Sequence, residues 1–324
     1  MYDQISRKLA AKELIILDGG TGTEIQRSGV SMDSEVWCAL ANLSDGDVVR
    51  EVHEEYLRAG AEVITANTYA SSVLSFSHLE REHEIENIDR TAVKLAREAI
   101  ADAATSPIAV AGSISVMPPV TQGTDRVPYQ RWDPDRVKPL FEKKADVLAD
   151  AGCDLIIMEM MRDLEVSLWA TEAAVATGLP VWVGISIERN REGQLVGFGN
   201  HLWTLADLTR GLMATGAQAA LVMHNELSTT DEALDIIKSH WDGPVGAYPE
   251  AGFFQMPNWV FKDISPQEFA EACQRWRAEG ADILGGCCGT TPAHIEALAR
   301  AFRRPRGTPR APAADADPSL TSSP

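Results

Sequence analysis

Several things are missing from this sequence of 324 residues, and each absence narrows what it can be. No apolar run approaches the roughly 20 residues that cross a bilayer, and the opening stretch MYDQISRKLAAKELIILDGG carries no apolar signal segment before its first strand-like run. Positive charge is scarce: 29 Lys and Arg stand against 47 Asp and Glu, a net charge of −18. Gripping nucleic acid or an anionic membrane takes clustered cations, so neither partner is expected, and the excess acid reads as a solvated exterior. No Gly-x-Gly-x-x-Gly follows the first strand-like run, which removes the main signature of a dinucleotide fold. Cysteine is sparse and odd in number: Cys38, Cys153, Cys273, Cys287 and Cys288. A disulfide between neighbours is strained, so the set points to free or metal-bound thiols in a reducing, cytoplasmic setting.

What is present is a rhythm. Short apolar runs at Leu14–Asp18, Glu62–Asn67, Ile108–Gly112, Leu155–Glu159, Val181–Ser186, Ala219–His224, Val245–Tyr248 and Ile283–Gly286 alternate with amphipathic stretches. Several are apolar on both faces, as buried parallel strands are. In the stretch Asp47–Arg58, Val48, Val49, Val52, Tyr56 and Leu57 recur near helical spacing. Helix stops recur at Ala59-Gly60, Ala151-Gly152, Thr215-Gly216 and Glu279-Gly280. Eight such units predict an α/β chain folded as one (β/α)8 TIM barrel over residues 1–303. The Pro- and Ala-rich remainder, 304–324, has no periodicity and reads as a disordered tail. In a barrel of this kind the chemistry sits at the C-terminal strand ends.

Those ends carry the reactive side chains. Cys287-Cys288 lies between Gly285-Gly286 and Gly289; soft thiolates suit zinc, although two small apolar residues closing a barrel end would look the same. His224 and Glu226 end the sixth run, two apart, and on an extended chain would face one side. Asp18 precedes Gly19-Gly20, whose lack of side chain lets a ligand approach the backbone, and Glu159 ends the fourth run. Two carboxylates around one mouth can hold an ammonium group or work as acid and base. Tyr248 can hydrogen-bond a substrate or simply pack. His53, His78 and His83 lie in helical stretches and are expected at the surface.

Together these motifs resemble the homocysteine S-methyltransferase family. The matching pieces run from Leu17-Asp18-Gly19-Gly20-Thr21-Gly22-Thr23 to Gly285-Gly286-Cys287-Cys288-Gly289-Thr290, with His53-x-x-Tyr56-x-x-Ala59-Gly60-Ala61, Thr65-Ala66-Asn67-Thr68-Tyr69, Glu159 and Tyr248-Pro249 between. The resemblance implies a barrel whose zinc, held by three cysteines, binds a homocysteine thiolate that attacks the methyl group of an onium donor such as S-methylmethionine or betaine. Cys287 and Cys288 match two of those cysteines, and Asp18 and Glu159 match the residues that hold the amino acid's ammonium group. The chain departs from the pattern in two places. The third cysteine is Glu226, in Met223-His224-Asn225-Glu226, and Tyr-Pro-Asn has become Tyr248-Pro249-Glu250. One account makes Glu226 an oxygen ligand to Zn2+ with Cys287 and Cys288, His224 standing by as a further donor and Asn225 lining the site. The other account drops the zinc and gives the barrel a different ammonium-bearing substrate, or ligand binding without catalysis. The expected partners are a small thiol acceptor and a methyl donor.

Overall fold

The computed structural model describes residues 1–124, 131–262 and 264–302; the expected tail at 304–324 lies outside them. Eight parallel strands form the framework: β1 (Ile15–Ile16), β2 (Val63–Ala66), β3 (Ala109–Ser115), β4 (Leu155–Met161), β5 (Val181–Arg189), β6 (Ala219–Met223), β7 (Val245–Tyr248) and β8 (Ile283–Leu284). They pair in the order β1-β8-β7-β6-β5-β4-β3-β2, and a parallel bridge from Leu17 to Val63 joins the two ends into a barrel. Every residue of β2, β3, β4, β6, β7 and β8 except Thr65 is buried, which is why these runs read as continuously apolar.

Helices return the chain between strands on the outside. Gly46–Ala59 buries Val49, Val52, His53, Tyr56 and Leu57 along one face. The four glycines expected to stop helices, Gly60, Gly152, Gly216 and Gly280, all sit at positive φ (112°, 98°, 98° and 103°), where a side chain would be strained. His78 and His83 are exposed, but His53 is fully buried on that inner helix face. Burial pushes its imidazole down to about 4, so it is a neutral core residue and not the surface residue expected.

Two additions rise above the strand ends. An antiparallel hairpin, Gly252–Gln255 with Asn258–Phe261, follows β7, and Leu195–Gly197 with Asn200–Thr204 extends β5. No helix among the described residues is long and apolar enough to cross a membrane.

Candidate active site

The C-terminal strand ends enclose a cavity lined by Asp18, Gly19, Gly20, Thr65, Glu159, His224, Tyr248, Cys287 and Cys288. The loops after β1 and β8 build one wall together. Gly20 N–H donates to the Thr290 carbonyl (3.2 Å), and Gly286 N–H to the Asp18 carbonyl (3.0 Å). A Cβ on Gly20 would lie 2.7 Å from the Cys287 carbonyl oxygen, so the glycine is needed for the cysteine loop to sit against it, in addition to any ligand. Gly289 turns at φ 81°, where a Cβ would meet the Ala251 carbonyl oxygen at 1.8 Å. That turn sets Cys287 and Cys288 side by side, and all five cysteines are free thiols.

Two carboxylates line the cavity beside this loop. Asp18 accepts from the Thr65 backbone N–H (2.6 Å) and the Thr65 hydroxyl (3.0 Å). Burial nevertheless pushes it up to about 7. Glu159 accepts from the Ser113 hydroxyl. Burial, and then the nearby Cys287 sulfur, push it up to about 8. The β4–β5 register shifts between Met158 and Met161, and Met160 has φ 59°: a bulge beside Glu159, of the kind that aims side chains at sites. The buried Tyr248 hydroxyl lies beside Glu159 and favours its charged form. These are acid groups whose charge is unsatisfied, the arrangement that attracts a cation.

The end of β6 differs from its expected form. His224 has φ 47°, left-handed and uncommon for such a residue. The strand is therefore not extended here, and the rule that residues two apart share a face fails. The His224 ring turns into the cavity, whereas Glu226 is exposed and pairs with Lys262 at 3.5 Å. Asn225 is buried, but its amide donates to Thr229 Oγ1 (3.1 Å), Thr230 Oγ1 (2.9 Å) and the Glu226 carbonyl, tying down the start of helix Leu227–Lys238. Neither residue lines the cavity, so the ligand role expected of Glu226 and the lining role expected of Asn225 do not match where the structure puts them.

Glu250, to which the sequence assigned no role, completes the cluster. Its Oε2 lies 2.6 Å from His224 Nδ1, each side chain only 12% exposed. Burial pulls the His224 ring down, but the Glu250 charge and the contact with Cys287 outweigh it and hold the ring up at about 10. Hydrogen bonds from Cys288 and then His224 hold the Cys287 thiol low, while Cys288 is pushed up by the same pairing. The signal for Glu250 was the departure at Tyr248-Pro249-Glu250.

Zinc at Glu226, Cys287 and Cys288 is the expected metal centre. Two of its donors are adjacent here, but the third faces solvent. Among the described residues no three His, Cys, Asp or Glu side chains are grouped to hold a metal ion. Glu226 alone leaves the expected set; Cys287 and Cys288 remain beside His224, the further donor named from the sequence.

A second, aromatic cavity adjoins the first. Trp37, Tyr69, His224 and Cys288 line both; Phe198, Phe254 and Trp259 line the second alone. Trp37 meets Tyr69 and Phe254 edge to face, with ring centroids 6.1 and 5.6 Å apart.

Comparison with known proteins agrees with this architecture. The sequence profile of the family described as Homocysteine S-methyltransferase matches residues 15–302. Homocysteine S-methyltransferase 4 of Zea mays is 28% identical over 320 residues, covering 89% of this chain and 89% of its own. Homocysteine S-methyltransferase 2 of the same plant is 26% identical over 336 residues, covering 94% and 95%. The metallated form of the homocysteine methyltransferase MmuM from Escherichia coli superimposes with a TM-score of 0.69 at 24% identity, over 91% of this chain and 99% of that one.

Proposed function

This chain belongs to the homocysteine S-methyltransferase family and is a methyltransferase, and from that premise we propose that it moves a methyl group from a small onium donor, such as S-methylmethionine or betaine, to homocysteine or a related aminothiol. One observation carries the reading: Asp18 and Glu159 line a single cavity together with the Cys287–Cys288 loop. An aminothiol placed there has its ammonium at the carboxylates and its sulfur towards the cysteines. The ammonium supplies the charge that the two buried acids lack, which favours their ionised forms. The Tyr248 hydroxyl, beside Glu159, lines the same cavity.

The adjoining aromatic cavity suits the donor. A sulfonium or quaternary ammonium carries its charge on a methylated centre, which the faces of Trp37, Tyr69 and Trp259 attract at about 0.5 to 2 kcal/mol each. The shared border at Tyr69, His224 and Cys288 is where the acceptor sulfur and the donor methyl would meet. Cys287, Cys288 and His224 would hold the zinc ion expected from the sequence, and the bound ion would favour the acceptor's thiolate; Glu226 faces away from them. Five free thiols support a reducing, cytoplasmic setting.

Incubation with homocysteine and each of several onium donors, followed by mass spectrometry, tests the proposal. Methionine formation with at least one donor is expected. No methylated product from any donor, with homocysteine or with other aminothiols, would count against it.

A further inference from the structure

Two helices outside the strands carry a charged pair that the methyl-transfer reading leaves unused. Lys144, on helix Pro134–Ala151, meets Asp89, on helix Ile85–Ala103, at 2.7 Å, with side chains 1% and 0% exposed. Taking both charges out of water costs about as much as their attraction returns, so stability alone does not account for the pair. Its other contacts all go to one loop. Lys144 Nζ donates to the Thr68 carbonyl (3.2 Å), the Ser71 carbonyl (3.1 Å) and the Ser71 hydroxyl (2.9 Å). The Ser71 hydroxyl in turn donates to Asp89 Oδ1 (2.5 Å). Residues 68–71 follow β2, and between these anchors stands Tyr69, which lines both cavities. The loop is also fastened to β3: Thr68 Oγ1 donates to the Ser113 carbonyl (2.9 Å), and the Ser115 hydroxyl to the Tyr69 carbonyl (2.6 Å). One residue further on, the Ser72 hydroxyl donates to the carbonyl of Met117, another lining residue of the aromatic cavity (2.6 Å).

We infer that Lys144 and Asp89 are positioning residues for the aromatic cavity: their ion pair fixes the loop that carries Tyr69 and braces Met117, and so sets the wall against which the donor's methylated cation lies. An ammonium suits the task. Its three N–H groups satisfy backbone carbonyls and a hydroxyl that converge from different directions, whereas an apolar side chain of the same length fills the space without orienting them. The carboxylate holds that ammonium charged and in place. Neither residue touches the reacting atoms; both act through Tyr69 and its neighbours. That the cavity receives a donor comes from the methyl-transfer reading, on which this inference rests; the hold of the pair on Tyr69 does not depend on it.

Fluorine NMR of the full chain grown on 3-fluorotyrosine, combined with steady-state kinetics, tests it. The Tyr69 resonance is assigned by its loss in Tyr69→Phe. Removing one partner alone leaves a buried charge unpaired, which is strongly destabilising, so both are exchanged together in Lys144→Met with Asp89→Leu, a kind of replacement that often leaves stability unchanged or raised. In this folded double variant the Tyr69 resonance is expected to shift or broaden, and KM for the donor to rise about tenfold, with KM for homocysteine staying within about twofold of wild type. A donor KM that does not change, or that rises no more than KM for homocysteine, overturns the inference, as does a Tyr69 resonance identical to that of wild type. If the double variant does not fold, Ser71→Ala keeps the ion pair and removes one of its links to the loop. A shifted Tyr69 resonance and a rise of about threefold in donor KM are then expected, and no change in either overturns the inference. Turnover with an unaltered donor KM sinks the positioning role and keeps the methyl-transfer reading. A displaced Tyr69 in a chain that methylates no aminothiol from any donor does the reverse: the methyl-transfer reading fails, and the hold of the pair on the cavity wall stands.

Discussion

The two walls of the acceptor cavity have different histories written in their residues. On one, Asp18 and Glu159 stand as the family pattern has them, each braced by a hydroxyl, from Thr65 and Ser113. On the other, Glu226 faces solvent, and a histidine–carboxylate pair, His224 and Glu250, lies at the end of β6. In the proposed function the first wall holds the amino acid's ammonium group. A barrel permits this split because the side chains come from the ends of different strands, β1 and β4 against β6 and β7, of one ladder. One wall can be rebuilt while the other keeps its ligand.

Substitutions on each wall sharpen that contrast. The largest effect is expected from Glu159→Gln. Losing a buried charge opposite the acceptor's ammonium costs about 3 kcal/mol, or roughly a hundredfold in kcat/KM, mostly in KM for homocysteine, with KM for the donor little changed. Steady-state kinetics varying each substrate separately checks it. Next comes Gly289→Ala, where a methyl group meets the Ala251 carbonyl at positive φ. A loss of about 2 kcal/mol is expected, read as a drop in Tm, with the remaining folded protein impaired in binding.

Acidity gives a smaller effect with a definite sign. Asp18 and Glu159 are held up at about 7 and about 8, so lowering the pH from about 8 to about 6 protonates both. A neutral carboxyl no longer attracts an ammonium, and homocysteine affinity should fall by roughly tenfold over that range. Calorimetry across the range checks it; affinity that rises as the pH falls would place the ammonium elsewhere. The smallest effect belongs to Glu226→Ala. The side chain is exposed, paired with Lys262 and accepting from the Ser228 hydroxyl, so activity and stability should stay within about 0.5 kcal/mol of wild type. A large loss would restore Glu226 to the site.

The same contrast explains what the sequence made legible. The eight strands were readable because apolar runs buried on both faces leave a pattern that needs no partner to interpret. Asp18, Glu159 and Cys287–Cys288 were readable because each ends such a run. The β6 end was misread for one local reason. Alternation along an extended chain predicts that His224 and Glu226 share a face, and the left-handed turn at His224 breaks the alternation there. Nothing in Met223-His224-Asn225-Glu226 announces that turn, which brings the His224 ring against Glu250 and Phe198. His53 was misplaced for a related reason: a polar residue on the inner helix face is invisible unless the face is assigned first.

The most direct test of the central claim is the binding of homocysteine, set against its analogue lacking the amino group, to the metal-stripped chain by calorimetry. If the Asp18–Glu159 wall reads the amino acid independently of any metal, homocysteine binds and the deaminated analogue binds about a hundredfold more weakly. Equal affinity for the two, or no binding of either until zinc is restored, would contradict the account.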